Sequence, residues 1–208
     1  MYTPAAFIEG DPDVIAAFLV EHPMAQLVTM TAEGLVATPM PMLCEPTADG
    51  PGSLVGHVAR ANRQWADTVP TVEALAIFTG ANAYISPNWY PAKAEHGKVV
   101  PTWNYETVHV RGVLVVHDDV EWKRALVTRL TQRHESQFEV PWAVGDAPAD
   151  YIESMLRAIV GIEVRITAMQ AKRKLSQNRS PEDVAGSISG LTDVGGPSAK
   201  VAEAMRSL

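Results

Sequence analysis

The strongest constraint in this chain is the order of its apolar runs. Between residues 25 and 117, β-branched and aromatic stretches follow one another with little helix between them. Residues 25–31 and 35–38 flank a short Ala32-Glu33-Gly34 turn, the pattern of an antiparallel hairpin. Pro39 and Pro41 cannot donate ladder hydrogen bonds, so the second strand is expected to be irregular or at an edge. A Pro, Asp and Gly loop over 46–52 leads to a strand over 53–58. A short helix is expected over 62–67, strands over 74–79 and 83–86, and a loop over 87–98. Residues 99–117 read as one long strand, or two broken near Asn104. The last strand is expected over 159–169.

Helices group elsewhere. Asp11 and Pro12 suit a helix start over 12–21. Asp118 or Asp119 can cap a long helix through Leu126 and Leu130. Further helices are expected over 149–158, 181–191 and 197–207. Strands that do not alternate strictly with helices argue against a doubly wound parallel sheet. They predict the α+β class, an antiparallel sheet or barrel with peripheral helices. The 208 residues read as one domain, with a C-terminal helical extension over about 181–208.

Charge is distributed unevenly. Residues 1–59 hold seven acids and no Lys or Arg, and the first basic residue is Arg60. The rest carries 17 residues of each sign, leaving a net charge of -7. That balance argues against a broad duplex-DNA surface, where phosphate neutralisation supplies much of the affinity. The lone Cys44 cannot form an intrachain disulfide and reads as a small core residue. The start lacks a signal-peptide pattern, and no run reaches the ~20 apolar residues of a membrane helix. A cytoplasmic protein with no membrane association is the expectation.

Three constellations carry chemical potential. Gly56-His57-Val58-Ala59-Arg60-Ala61-Asn62 ends a strand and enters a short helix. Arg60 suits a phosphate or carboxylate, with Asn62 beside it, or is a surface Arg followed by a capping Asn. Residues 165–180 hold five basic side chains (Arg165, Lys172, Arg173, Lys174, Arg179) and no acid. With Ser176, Gln177 and Asn178 they suggest an anion pocket, although a solvated face or nucleic-acid contact has the same composition. Tyr84, Trp89, Tyr90, Trp103 and Tyr105 form an aromatic cluster, either core or a wall for a planar ring. The six histidines show no metal-binding spacing, and there is no P-loop, Gly-x-Ser-x-Gly or Gly-x-Gly-x-x-Gly.

Taken together, GHVARAN with Gln64-Trp65, AYISPNWY with VPTWNY, and KLSQNRS resemble the PaiB-like family, the FMN-binding negative transcriptional regulators. The opening Met1-Tyr2-Thr3-Pro4 and the segment 158–163 fit the same family. The resemblance implies an antiparallel split β-barrel related to pyridoxamine-phosphate-oxidase-like flavoproteins. It implies a homodimer with FMN at the subunit interface, and a flavin-dependent redox or sensor protein, with FMN-dependent oxidoreductase activity open. By position, Arg60 resembles the phosphate-gripping residue, with His57 and Asn62 beside it and Thr38 on the strand along the flavin. Trp103 and Asn104 resemble ring-proximal or interface residues, and Lys174, Ser176, Gln177 and Arg179 match the late polar motif. Many relatives in the superfamily place an Arg where this chain has Ala37-Thr38-Pro39, so that contact is missing. Direct DNA binding is one alternative, favoured by the family's name and opposed by the charge. A haem-binding split barrel with His57, His109 or another histidine as axial ligand is the other. No catalytic residue is assigned.

Overall fold

The computed structural model describes residues 1–47 and 50–208. Its strands, all paired antiparallel where the register is defined, are β1 (Ile8–Glu9), β2 (Met24–Thr31), β3 (Gly34–Pro41), β4 (Leu43–Thr47), β5 (Gly50–Ala59), β6 (Ala74–Ile85), β7 (Thr102–His117) and β8 (Ile159–Lys174). The helices are α1 (Pro12–Glu21), α2 (Gln64–Asp67), α3 (Ala92–His96), α4 (Val120–Glu135), α5 (Ala149–Arg157), α6 (Pro181–Val194) and α7 (Pro197–Arg206). The sheet order is β3-β2-β6-β7-β8-β5-β4, with β1 paired to β8. The chain is therefore α+β, with the predicted antiparallel sheet. Among the described residues no helix is long and apolar enough to cross a membrane.

The hairpin forms as the sequence requires. Leu27 pairs with Thr38, and Ala25, Leu27 and Thr29 of β2 are buried while β3 is largely exposed. Pro39 and Pro41 sit in β3, which ends the sheet order as expected of a proline-bearing strand. Part of the loop expected over 46–52, residues 48 and 49, lies outside the described residues. The flanking residues are strands: β4 pairs with β5, with a register shift between Glu45 and Thr47.

Three expectations are corrected, and of the two readings of residues 99–117 the single strand holds. The runs 74–79 and 83–86 form one strand, β6. It lies between β2 and β7 in the sheet, and its ladder with β2 covers residues 75–78, so Gly80-Ala81-Asn82 continues the strand beyond that ladder. β7 is unbroken at Asn104, whose buried amide finds a side-chain partner described below. Residues 87–98 contain α3, closed by Gly97 at φ +65°, whose N–H reaches Lys93 O at 3.1 Å. Finally, β8 runs on to Lys174, so most of the basic run is strand.

The chain forms two compact units. One comprises Met1–Phe18, Thr79–His109 and Gln170–Leu208. Its core includes Ile85, Tyr90, Leu175, Leu191, Val201 and Met205. Trp89 packs where α6 carries glycine: a Cβ on Gly190 would lie 2.3 Å from the indole. The other unit comprises Leu19–Phe78 and Val110–Met169. There Leu126 and Leu130 of α4 bury against Val55, with Leu43 and Trp122 alongside. Asp119 is the cap of α4, its Oδ1 accepting from Trp122 N at 2.8 Å. Asp118 is thereby left for a different role.

Candidate functional site

In the second unit, the turn after β5 is held by its own motif residues. The Arg60 guanidinium meets Asp118 with both terminal nitrogens. Its Nε donates to Arg157 O at 2.8 Å, and Nη2 also donates to Ile159 O at 3.2 Å. Lys123, almost wholly buried, adds a bond from Nζ to Asp118 Oδ1 at 2.9 Å. The hydrogen bonds from Arg60 and then Lys123 hold the Asp118 carboxyl well below the usual carboxylate range. Arg60 thus ties the end of β5 to the starts of α4 and β8. Asn62 Nδ2 donates to Thr38 Oγ1 at 2.9 Å, and Asn62 Oδ1 accepts from Gln64 N at 3.0 Å. Gln64 Nε2 continues to Leu27 O and Thr29 Oγ1, both at 3.0 Å. Thr38, Arg60 and Asn62 are therefore engaged with protein partners. His57 lines an apolar cavity with residues of α4 and α5.

The same unit holds a chain of titratable groups. Glu163 accepts from Ser53 Oγ at 2.8 Å and lies 2.8 Å from His117 Nε2. Burial raises the Glu163 carboxyl, but its bonds to His117 and Ser53, with Arg165 nearby, bring it below its ordinary value. The carboxylate stands between the other two groups, so Ser53 is bonded to Glu163 and Glu163 to His117. Among the described residues no three His, Cys, Asp or Glu side chains are grouped to hold a metal ion. His57 and His109 belong to different units, and burial pushes each imidazole below its ordinary range.

In the first unit, β8 ends in a turn with an unusual backbone. Among the described residues, Ser176 is the one non-glycine residue in the left-handed region, at φ 69°. That conformation costs an L-residue roughly 1–2 kcal/mol, and such strain persists where surroundings over-determine it. Here they do. Fully buried Asn104 donates from Nδ2 to Ser176 Oγ at 2.9 Å and accepts from it at Oδ1 at 3.2 Å. Gln177 accepts from Leu175 N at 2.7 Å and donates to Arg173 O at 2.6 Å. Arg179 N reaches Ser176 O at 2.9 Å.

Cations gather around this turn. Lys174 Nζ donates to Thr102 Oγ1 at 2.7 Å and Trp103 O at 2.5 Å. Lys172, also buried, donates to Tyr2 O at 3.3 Å and lies 5.1 Å from the centre of the Tyr105 ring. Arg179 lies 4.9 Å from the centre of the Tyr90 ring. Arg173 differs, since its Nε binds Glu106 at 2.7 Å and Nη1 lies 3.6 Å from Glu9. Among the described residues no carboxylate forms an ion pair with Lys172, Lys174 or Arg179. Burial first, then the charges of Lys172 and Arg179, push the Lys174 ammonium below its ordinary pKa. A bound anion reverses the second effect, so the cluster suits a phosphate. Trp103 and Tyr84, both half-exposed, meet edge to face at 6.1 Å and offer a surface for a planar ring.

Of the sequence-predicted residues, Trp103, Asn104, Lys174, Ser176, Gln177 and Arg179 thus belong to one unit. Thr38, His57, Arg60 and Asn62 belong to the other. Sequence reasoning left Lys172 and Asp118 out of the candidate set. Lys172 and Lys174, two apart, share a strand face once β8 is extended to residue 174. Nothing in the sequence marks Asp118 as the partner of Arg60, 58 residues away.

Comparison with known proteins places these features in context. The family model described as "Putative FMN-binding domain" matches residues 1–168. The protease synthase and sporulation protein PAI 2 of Bacillus subtilis is 32% identical over 200 residues, covering 96% of this chain and 93% of the relative. A conserved hypothetical protein of Mycobacterium tuberculosis superposes with a TM-score of 0.60 at 12% identity, covering 87% of this chain and 94% of the other. A FAD and heme binding protein of Mycobacterium smegmatis gives 0.56 at 15% identity, with 85% and 78% covered. At such identities the structural likeness is one of fold.

Proposed function

The chain belongs to the family described as the Putative FMN-binding domain, and from that premise we propose that it holds FMN at the turn closing β8. Lys174 and Arg179 take the phosphate, with Lys172 adding positive potential. Asn104, Ser176 and Gln177 set the turn, and Trp103 and Tyr84 provide the surface for the flavin ring. The observation that carries this reading is a group of three cations that have no ion-pair partner among the described residues, beside a strained turn that neutral side chains hold in place. Thr38, Arg60 and Asn62 shape the fold in this reading, because their polar groups already have protein partners. Bound FMN supplies hydride and one-electron chemistry. The protein is then a flavin-dependent redox or sensor protein of split-barrel type, and the cytoplasmic homodimer expected from the sequence remains part of the proposal.

Direct DNA binding has less support. Arg173 spends its guanidinium on Glu9 and Glu106, Lys172 is buried, and Arg165 lies beside Glu163. Those contacts leave few cations of the basic run for a duplex.

The test compares FMN with riboflavin, which lacks the phosphate, by flavin fluorescence titration. FMN is expected to bind at least about tenfold more tightly, since charge-assisted bonds contribute roughly 1.5–3 kcal/mol each. Lys174→Ala and Arg179→Ala should each shrink that preference. Equal binding of the two flavins, or an unchanged preference in both variants, refutes the proposal.

A further inference from the structure

A second site lies in the other unit, independent of the flavin reading. Between β5, α4, α5 and the start of β8 there is a cavity of about 220 Å³. Val127, Trp142, Ile152, Met155 and Leu156 contribute to its apolar wall. Among the described residues no Asp, Glu, Lys or Arg side chain lines it. His57 and Thr131 are the polar residues of its lining, and His57 is the one that carries an imidazole. Its half-buried imidazole makes no side-chain hydrogen bond among the described residues, and its nitrogens are not among the buried polar atoms without a partner, so they remain open to a ligand or to solvent. Burial pushes the ring below its ordinary pKa, so it is neutral near pH 7, with one nitrogen able to accept and the other to donate.

These features define an occupant. A cavity of ~150 Å³ with apolar walls takes benzene, so 220 Å³ has room for two fused rings. Charged ligands are disfavoured because nothing on the wall would pair with them. We infer that this cavity is a binding site for a small, neutral, planar aromatic compound bearing one hydrogen-bonding N–H or O–H, which His57 receives. The apolar wall supplies affinity, and His57 discriminates between molecules of equal shape.

Indole and indene are matched in shape and differ in the N–H, so they serve as probes. Isothermal calorimetry on the full chain should show indole binding about tenfold more tightly than indene. His57→Leu should equalise the two, and His57→Gln, which keeps a hydrogen-bonding group, should retain part of the preference. Met155→Trp, which fills the cavity from a partly exposed position, should weaken both by more than tenfold while leaving the circular dichroism spectrum unchanged. Failure of indole to bind, equal binding of indole and indene to the wild-type chain, or a full preference surviving in His57→Leu overturns the inference. Binding to Met155→Trp at wild-type strength overturns it as well. Titrating FMN into the same samples separates this site from the flavin site, because His57→Leu should leave FMN affinity unchanged.

Discussion

Replacing Asn104 by Ala removes the group that holds the Ser176 turn. Asn104 is fully buried, and its amide exchanges two hydrogen bonds with the Ser176 hydroxyl while touching Met205 Sδ at 3.5 Å. The substitution leaves a buried hydroxyl without that partner, at a cost of roughly 1–3 kcal/mol. Taking about 2 kcal/mol, and about 2–4 °C per kcal/mol for a chain of this size, Tm should fall by about 4–8 °C. Ser176→Ala should cost a similar amount, because it orphans the Asn104 amide. The double variant should cost less than the sum by about 1 kcal/mol, since the second substitution removes a group that has already lost its partner. Differential scanning calorimetry measures all three. The Asn104→Ala variant should also bind FMN about tenfold more weakly, with a smaller change for riboflavin. Additive costs, or a Tm within 1 °C of wild type, would refute this account of the turn.

Three further outcomes follow from the geometry. Gly190→Ala would put a Cβ 2.3 Å from Trp89 and should cost roughly 1–3 kcal/mol in chemical denaturation, whereas Gly145→Ala, with nothing within 4 Å, should stay within about 0.5 kcal/mol. The Asp118 carboxyl is depressed in the folded state, so its contribution is present above the ordinary carboxylate range near pH 4 and is lost as pH falls through the folded pKa. Asp118→Asn should therefore lower the urea midpoint at about pH 7, and its deficit should shrink below about pH 4; a deficit that grows on acidification contradicts the pairing. By NMR, His57 should titrate below about 6.5, and its contribution should destabilise the fold as pH drops past that value, because the unfolded imidazole takes a proton that the buried one resists. A midpoint above 6.5 contradicts the cavity environment.

The α+β class and the hairpin were legible because their signals are local. A period-two run, a Gly turn and two prolines dictate pairing and edge position without reference to distant residues. Strand lengths were less legible. Gly80-Ala81-Asn82 breaks the apolar pattern of β6, yet the strand continues through them past the end of its ladder with β2, with β7 as its other neighbour in the sheet. Charge hid the end of β8, where Lys172 buries against Tyr105 and Arg173 pairs with Glu9 and Glu106. The motifs themselves were visible in the sequence, but the work of each residue was not. Arg60 reads as a hydrogen-bond donor to a phosphate or as a surface side chain, and its role as a clamp emerges only when Asp118, Arg157 and Ile159 are brought beside it. KLSQNRS gave the residue types of an anion site, and the fold adds the strained Ser176 and its anchor Asn104.

In the function proposed above, the turn closing β8 receives the phosphate of FMN. The most direct measurement is a crystal structure of the protein with FMN. The phosphate is expected within hydrogen-bond distance of Lys174 and Arg179, with the Arg60–Asp118 pair intact. A phosphate bound instead by Arg60, with Asp118 displaced, would contradict it.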